Sequence, residues 1–318
     1  MTAMTKYNAA DVTSVEYFSD TLIDEFIASR HSSPNTAKTY RNACRQMLKF
    51  FAAKGIVAPM TADVDSFFNS LRAAKKSVAT LRLYSTVAKL YFAFLQKKGV
   101  YRDVAAEAEP LKLRKSSTHN KKALTPAQAK KLLSAVKGDS LIARRDRAII
   151  ALALQTGVRC CEISRANVGN FQQDAGYWTL AVTGKGRLTA DEIVKVAEPV
   201  AALINAYLSL RGDVADDAPL FVSESRQNRG QRLSVQSVGK MIKARMKAVG
   251  IDDKKITAHS TRHFAATTAI QAGVDIREVG AMLRHSSIVV TSTYLHDLSV
   301  ASRRAEMAVA DSLFSGVA

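Results

Sequence analysis

Six side chains in the second half of the chain have the types needed for one kind of chemistry: Arg159, Lys185, His259, Arg262, His285 and Tyr294. In QTGVRCCEI (155–163), Gly157 interrupts a helical pattern. Arg159 and Glu162 follow at i and i+3, on one face of the next helical turn. Alone, that pair reads as a structural salt bridge. In TGKGRL (183–188), Lys185 stands between two glycines at the tip of an expected hairpin. The rest of a phosphate-binding loop and its strand–loop–helix setting are missing, so nucleotide binding is not expected there. In AHSTRHFAATTAIQAG (258–273), His259 and Arg262 open a helix on one side, where free backbone N–H groups and the helix dipole favour an anion. His285 closes the following helix, and Tyr294 comes after it.

Taken one by one, each signal has a plain structural reading. Together, two arginines, two histidines, a lysine and a tyrosine suit transfer of a DNA phosphodiester without a metal. A tyrosine hydroxyl has a solution pKa near 10, so only about one in a thousand is ionised at neutral pH. It therefore needs a proton acceptor and a polarised target. Attack on phosphorus loads charge onto the non-bridging oxygens, which two arginine forks can hold bidentately. The departing deoxyribose oxygen needs a proton, which a placed lysine ammonium can give. Losing one such stabilising donor costs about 3 kcal/mol.

The chain as a whole suits a polyanionic partner. Its 318 residues carry 46 Lys+Arg against 28 Asp+Glu, a net charge of +18, and nucleic acid is the first expectation. Hydrophobic residues make up 47% and are spread along the length, which implies a folded core rather than disorder. The three cysteines, Cys44, Cys160 and Cys161, fit neither a disulfide framework nor a zinc site. The opening MTAMTKYNAADVTSVEYF has no apolar core. The run Ala148–Leu154 is far short of the roughly 20 residues that cross a bilayer. These features predict a reduced, intracellular, cytoplasmic protein without membrane contact.

The elements that must position these residues are mainly α. SSPNTAKTYRNACRQMLKFFAAKG opens with Ser33 as N-cap and Pro34 in the first turn, and closes at Gly55. Ala37, Tyr40, Cys44, Met47, Leu48 and Phe51 keep the helical period. A second long helix turns Leu81, Tyr84, Val87, Ala88, Tyr91 and Leu95 to one face and Arg82 and Lys89 to the other. Shorter helices are predicted at Val15–Ser29 and Ala62–Arg72. Tyrosine and phenylalanine at this spacing read as core rather than as platforms for bases. EAEPLKLRKSSTHNKK (107–122) loses the apolar period and carries Lys112, Arg114, Lys115, Lys121 and Lys122. It reads as a linker, either solvated or lying along a phosphate backbone.

Beyond the linker, Thr125, Pro126 and Gln128 make a capping box, and RRDRAIIALALQTGVR (144–159) reads as a buried helix. Strands are expected near Tyr177–Thr183 and Glu192–Val196, and helices over Val200–Arg211 and Val235–Val249. GVDIREVGAMLRH (273–285) gives a helix capped by Asp275, with Glu278 three residues on and an inward stripe of Ile276, Val279 and Leu283. With the helix before it, this could also be the helix–turn–helix of a DNA-binding regulator. The expected organisation is a helical N-terminal domain (1–110), a basic linker (111–123) and a mostly helical C-terminal domain with a small antiparallel β-sheet (124–318).

The order Arg159, Lys185, HSTRH (259–263), LRHSS (283–287) and Tyr294 resembles the tyrosine recombinase, or phage integrase, family. Length and spacing are most similar to its compact Xer-type and transposon-borne members. The strong match begins near residue 124, while the N-terminal helices agree with the family's core-binding domain in layout. The resemblance implies the tyrosine recombinase fold and a site-specific DNA recombinase without metal or cofactor. Tyr294 would be the nucleophile, forming a 3′-phosphotyrosyl link and releasing a 5′-hydroxyl. Arg159 and Arg262 would clamp the phosphate, and Lys185 would be the general acid. His259 would assist proton transfer at Tyr294, His285 would hydrogen-bond the phosphate, and Glu162 would orient the arginines. The implied partners are double-stranded DNA bearing a recombination site, a homo-tetramer exchanging strands through a four-way Holliday junction, and an accessory directionality protein in some systems.

Two positions depart from the family pattern. Arg284 replaces the usual glycine of Leu-Gly-His, and Thr261 replaces an apolar residue before Arg262. Neither removes a reacting group, and Arg284 is open to two readings, a DNA phosphate contact or a side chain pointing to solvent. Cys160 and Cys161 read as packed thiols. The tail SVASRRAEMAVADSLF (299–314) is expected to form an amphipathic helix with Met307, Ala310, Leu313 and Phe314 on its apolar edge. It would pack on its own domain or, as the resemblance implies, on a neighbouring subunit. The rival readings are a catalytically silent DNA-binding protein derived from a recombinase, and a type IB topoisomerase or telomere resolvase using the same cleavage chemistry.

Overall fold

A computed structural model describes residues 19–108, 122–184, 189–285, 287–292 and 294. These fall into two compact units, 19–108 and 122–294. The first is built from four helices: α1 (Asp20–Ser29), α2 (Pro34–Ala53), α3 (Thr61–Ala73) and α4 (Val78–Lys97). Hydroxyls at the caps start three of them. Ser19, Ser33 and Ser77 accept the backbone N–H groups of Leu22, Thr36 and Thr80, satisfying donors that a helix cannot pair internally. The helix expected from Val15 therefore runs, within the described residues, from Asp20 behind its Ser19 cap. The aromatic residues are core: Phe26, Phe67, Phe68, Tyr91 and Phe92 are buried, and Phe26 meets Tyr91 edge-on at 5.4 Å. Each such ring removes apolar area from water worth about 2–3 kcal/mol.

The second unit begins with α5 (Pro126–Leu133), where Thr125 and Gln128 form the expected reciprocal capping box. Its axis is α6 (Leu141–Thr156), apolar on nearly every face and buried from Ala148 to Leu154. Two charged groups on α6, Arg145 and Asp146, are buried as a pair. Asp146 accepts from Arg145 and from Arg245 of α9 (Val235–Ala248), both at 2.7 Å, and so ties the two helices. Gly157 ends α6 in the left-handed conformation at φ 63°. A Cβ there would come within 2.7 Å of Leu283.

Three antiparallel strands follow in the order β1 (Phe171–Asp174), β2 (Tyr177–Val182) and β3 (Glu192–Val196). The second and third were expected. The first was not, because FQQD has little β character and its hairpin turns on Ala175 and Gly176, both at positive φ, rather than on an Asn-Gly or Asp-Gly pair. Two further helices, α7 (Cys160–Arg165) and α8 (Glu198–Leu208), flank the sheet in sequence. The chain ends its described course with α10 (Ser260–Gln271), α11 (Ile276–Leu283) and α12 (Ile288–Ser292). Among the described residues no helix is long and apolar enough to cross a membrane.

Candidate active site

Arg159 is the N-cap of α7, placed there by the left-handed turn at Gly157. The carboxylate that caps the start of α7 also makes the first ion pair of the site. Glu162 accepts the Arg159 backbone N–H at 2.6 Å on one oxygen and Arg159 Nη1 at 2.7 Å on the other. Glu162 is wholly buried. Burial pushes its carboxyl up, but Arg284 and Arg159 outweigh that and hold it below the ordinary glutamate value. The C-terminal end of α7 is fixed by Arg232, which donates to the carbonyls of Ser164 and Ala166, and by Ser164, which donates to the Leu233 carbonyl.

Arg262 lies in the first turn of α10 and is 1% exposed. Its Nη1 donates to the Gly157 carbonyl at 2.7 Å, and its Nη2 donates to the Leu283 carbonyl. These bonds clamp the ends of α6 and α11 together and use two of the five guanidinium N–H groups. Burial and the neighbouring cations Arg159 and Arg284 push Arg262 down to about 10. His259 is exposed at the start of the same helix, its ring edge-on to buried His263 at 5.1 Å.

His285 follows α11. Its Nδ1 is 2.8 Å from Thr291 Oγ1. Burial, then Arg262, Arg159 and Arg284, push the imidazole down to about 4. Tyr294 is 3% exposed among Ala266, Val279 and Leu283. Its ring lies parallel to His285 at 6.0 Å and edge-on to His263 at 5.0 Å.

Thus Arg159, Arg262, His285 and Tyr294, read from separate motifs, come together at one place, with His259 at its rim. Lys185 lies outside the described residues, as do Lys112, Arg114, Lys115, Lys121 and the tail with Met307, Ala310, Leu313 and Phe314. Of the other expected DNA contacts, Lys122 is exposed and paired with Asp253 at 3.2 Å. Arg82 is exposed and Lys89 half-buried on α4. Arg284 does not point to solvent. Its side chain is 5% exposed and reaches Glu162 Oε2 at 2.7 Å.

The sequence profile of the phage integrase family matches residues 122–299, and that of the phage integrase N-terminal SAM-like domain matches residues 21–103. The tyrosine recombinase XerA of Pyrococcus furiosus is 30% identical over 262 residues, covering 82% of this chain and 83% of its own. The chain belongs to the phage integrase family, the tyrosine recombinases. The tyrosine recombinase XerC of Thermodesulfovibrio yellowstonii is 25% identical over 294 residues, with 90% and 93% of the two chains covered. A XerH site-specific recombinase bound to a palindromic difH substrate has a likeness of fold, with a TM-score of 0.68 at 18% identity over 92% of this chain and 84% of that one.

Within this recombinase, the motifs did not point to three residues that shape the site. Thr291 holds the His285 ring, and Gly280 leaves it room, since a Cβ on Gly280 would sit 3.1 Å from Thr291 Oγ1. His263 packs between His259 and Tyr294. Only His263 carried a signal, as the last letter of HSTRH. Cys160, beside Arg159, is half-buried and its thiol is pushed up by burial, which disfavours the thiolate.

Proposed function

We propose that this recombinase cleaves and rejoins duplex DNA at a specific site, with Tyr294 as nucleophile. The observation that carries the reading is the surplus of positive charge around His285. Arg159 and Arg262 converge beside it while Arg284 is held by Glu162, and burial first, then these three cations, drive the imidazole down to about 4. Such a field is suited to a phosphodiester.

The Tyr294 hydroxyl oxygen attacks the scissile phosphorus as the bond to the 5′-oxygen breaks. A 3′-phosphotyrosyl ester forms, and the departing oxygen takes a proton from Lys185 to leave a 5′-hydroxyl. His259 assists the transfer of the tyrosine proton away from the hydroxyl, while Arg159, Arg262 and His285 hold the non-bridging oxygens. The link stores the energy of the broken bond, so the 5′-hydroxyl of a partner strand can attack it and return Tyr294 without ATP. Strand exchange in pairs then proceeds through a four-way junction in a tetramer. The exposed Ile288, Val289 and Val290 of α12 offer that assembly an apolar face close to Tyr294 in sequence. Lys112, Arg114, Lys115, Lys121 and Lys122 of the linker, with Arg82 and Lys89, would follow the DNA backbone.

The test is covalent capture. Wild type and Tyr294→Phe are incubated with a random-sequence duplex library, denatured in detergent, and their protein-linked DNA is recovered. Adduct from wild type alone supports the reading. Binding by both before denaturation, with no adduct from either, would favour a catalytically silent DNA-binding protein. Binding should also weaken steeply with salt, and a flat response would reject the DNA clamp. Deleting residues from Ser299 should impair recombination more than binding; equal losses would reject a role for the tail in assembly.

A further inference from the structure

Arg284 occupies the left-handed conformation at the end of α11, with φ 56° and ψ 51°. The N–H groups of Arg284 and His285 close the helix onto the carbonyls of Ala281 and Gly280. Glycine adopts this backbone freely, whereas a side chain there costs about 1–2 kcal/mol. The arginine also buries a charge, which is expensive unless paired. Both costs are met by a set of contacts that a glycine could not make.

The guanidinium folds back beneath the site. Nη1 donates to the Met282 carbonyl at 2.7 Å, and Nη2 donates to Glu162 Oε2 at 2.7 Å. Nε stands 3.6 Å from Glu192 Oε2 at the start of β3, an ion pair too long for a hydrogen bond. Glu162 is therefore shared: Arg284 holds one of its oxygens, and Arg159 Nη1 holds the other. One buried carboxylate braces two guanidiniums from different elements. Glu192 adds a longer-range charge on the second side of Arg284, and its carboxylate lies against Gly184, where a Cβ would be 3.2 Å away.

We propose that Arg284 is a positioning residue for strand cleavage, whose ion pairs with Glu162 and Glu192 fix the carboxylate against which Arg159 is braced. The inference rests on reading Arg159 as a phosphate clamp. With Arg284 removed, Glu162 keeps a single guanidinium in a buried setting that favours its neutral form. A neutral Glu162 holds Arg159 weakly. Among the described residues, the ionisable groups facing Glu162 are Arg159 before α7, Cys160 on it and Arg284 after α11, with Arg262 on α10 acting through its charge.

The experiment compares wild type with Arg284→Gly and Arg284→Lys on the duplexes recovered by covalent capture with wild type. Glycine suits the backbone, so the first variant should fold, and its thermal midpoint checks that it does. Arg284→Gly should keep its DNA affinity within about twofold but form the detergent-resistant adduct about tenfold or more slowly, a loss of roughly 1.4 kcal/mol or more in the cleavage step. The acid limb of its pH–rate profile should move upward, and Arg284→Lys, which keeps the charge, should recover most of the rate. A wild-type rate in Arg284→Gly would overturn the proposal. So would a loss confined to affinity with a salt slope smaller by about one, the signature of a DNA phosphate contact. If wild type itself gives no Tyr294-dependent adduct, the strand-cleavage reading fails, and carboxyl NMR decides the bracing separately. The Glu162 midpoint must then rise by about one pH unit or more in Arg284→Gly, and an unchanged midpoint overturns the inference.

Discussion

The hydroxyl of Thr291 lies 2.8 Å from Nδ1 of His285, and Thr291 is wholly buried. The bond leaves Nε2 as the ring nitrogen available to a substrate and stops the ring from turning about χ2. Thr291→Val keeps the shape and removes the hydroxyl. Leaving Nδ1 without its partner should cost about 1–2 kcal/mol, roughly tenfold in adduct formation. DNA affinity should stay unchanged, and Thr291→Ser should restore the rate. A Thr291→Val protein that cleaves at the wild-type rate would show the bond to be idle.

His285 also sets a dependence of stability on acid. Its pKa in the folded protein, about 4, lies below the ordinary histidine value of 6.5 because burial and the three arginines penalise the imidazolium. Between those values the unfolded chain binds the extra proton and the folded one does not. Stability from this group is thus complete above pH 6.5 and is lost as pH falls towards 4. The thermal midpoint of the DNA-free protein should drop over that window. His285→Gln, which cannot titrate, should drop less. Parallel curves for the two proteins would contradict the assignment.

Gly157 should resist substitution more than any open turn glycine. Alanine at φ 63° is strained, and its Cβ would press within 2.7 Å of Leu283 beside the Arg262 clamp. We expect Gly157→Ala to lose about 2–4 kcal/mol in urea unfolding. Gly176, at φ 84° with open space around its Cβ position, is the control and should lose only about 1–2 kcal/mol. Equal losses would mean that backbone strain, not packing against α11, governs Gly157.

What could be read in advance followed from how local each signal is. The caps at Ser33 and Thr125, the apolar run of α6 and the break at Gly157 are written within a few residues of where they act. The candidate site residues could be picked out because their types are rare in combination. β1 was hidden by a polar strand and an alanine in the left-handed region. Thr291 looked like any other residue in SSIVVTSTY. The two readings of Arg284, phosphate contact or solvent, omitted its actual destination. Glu162 and Glu192 are its partners only because α7 and β3 come together at the end of α11, a relation no local pattern records.

The burial of Tyr294 makes the last prediction. On the proposed reading Tyr294 must reach phosphorus, yet its ring is 3% exposed and enclosed by His263, His285 and the apolar ends of α10 and α11. Tetranitromethane should therefore nitrate Tyr294 far more slowly than Tyr177, which is 40% exposed on β2. Peptide mass spectrometry would read both sites in one sample, and denaturation should bring the two rates together. Fast nitration of Tyr294 in the folded protein would mean that the enclosing pack opens readily without DNA. Slow nitration would mean that the proposed attack on phosphorus requires a prior opening of this pack.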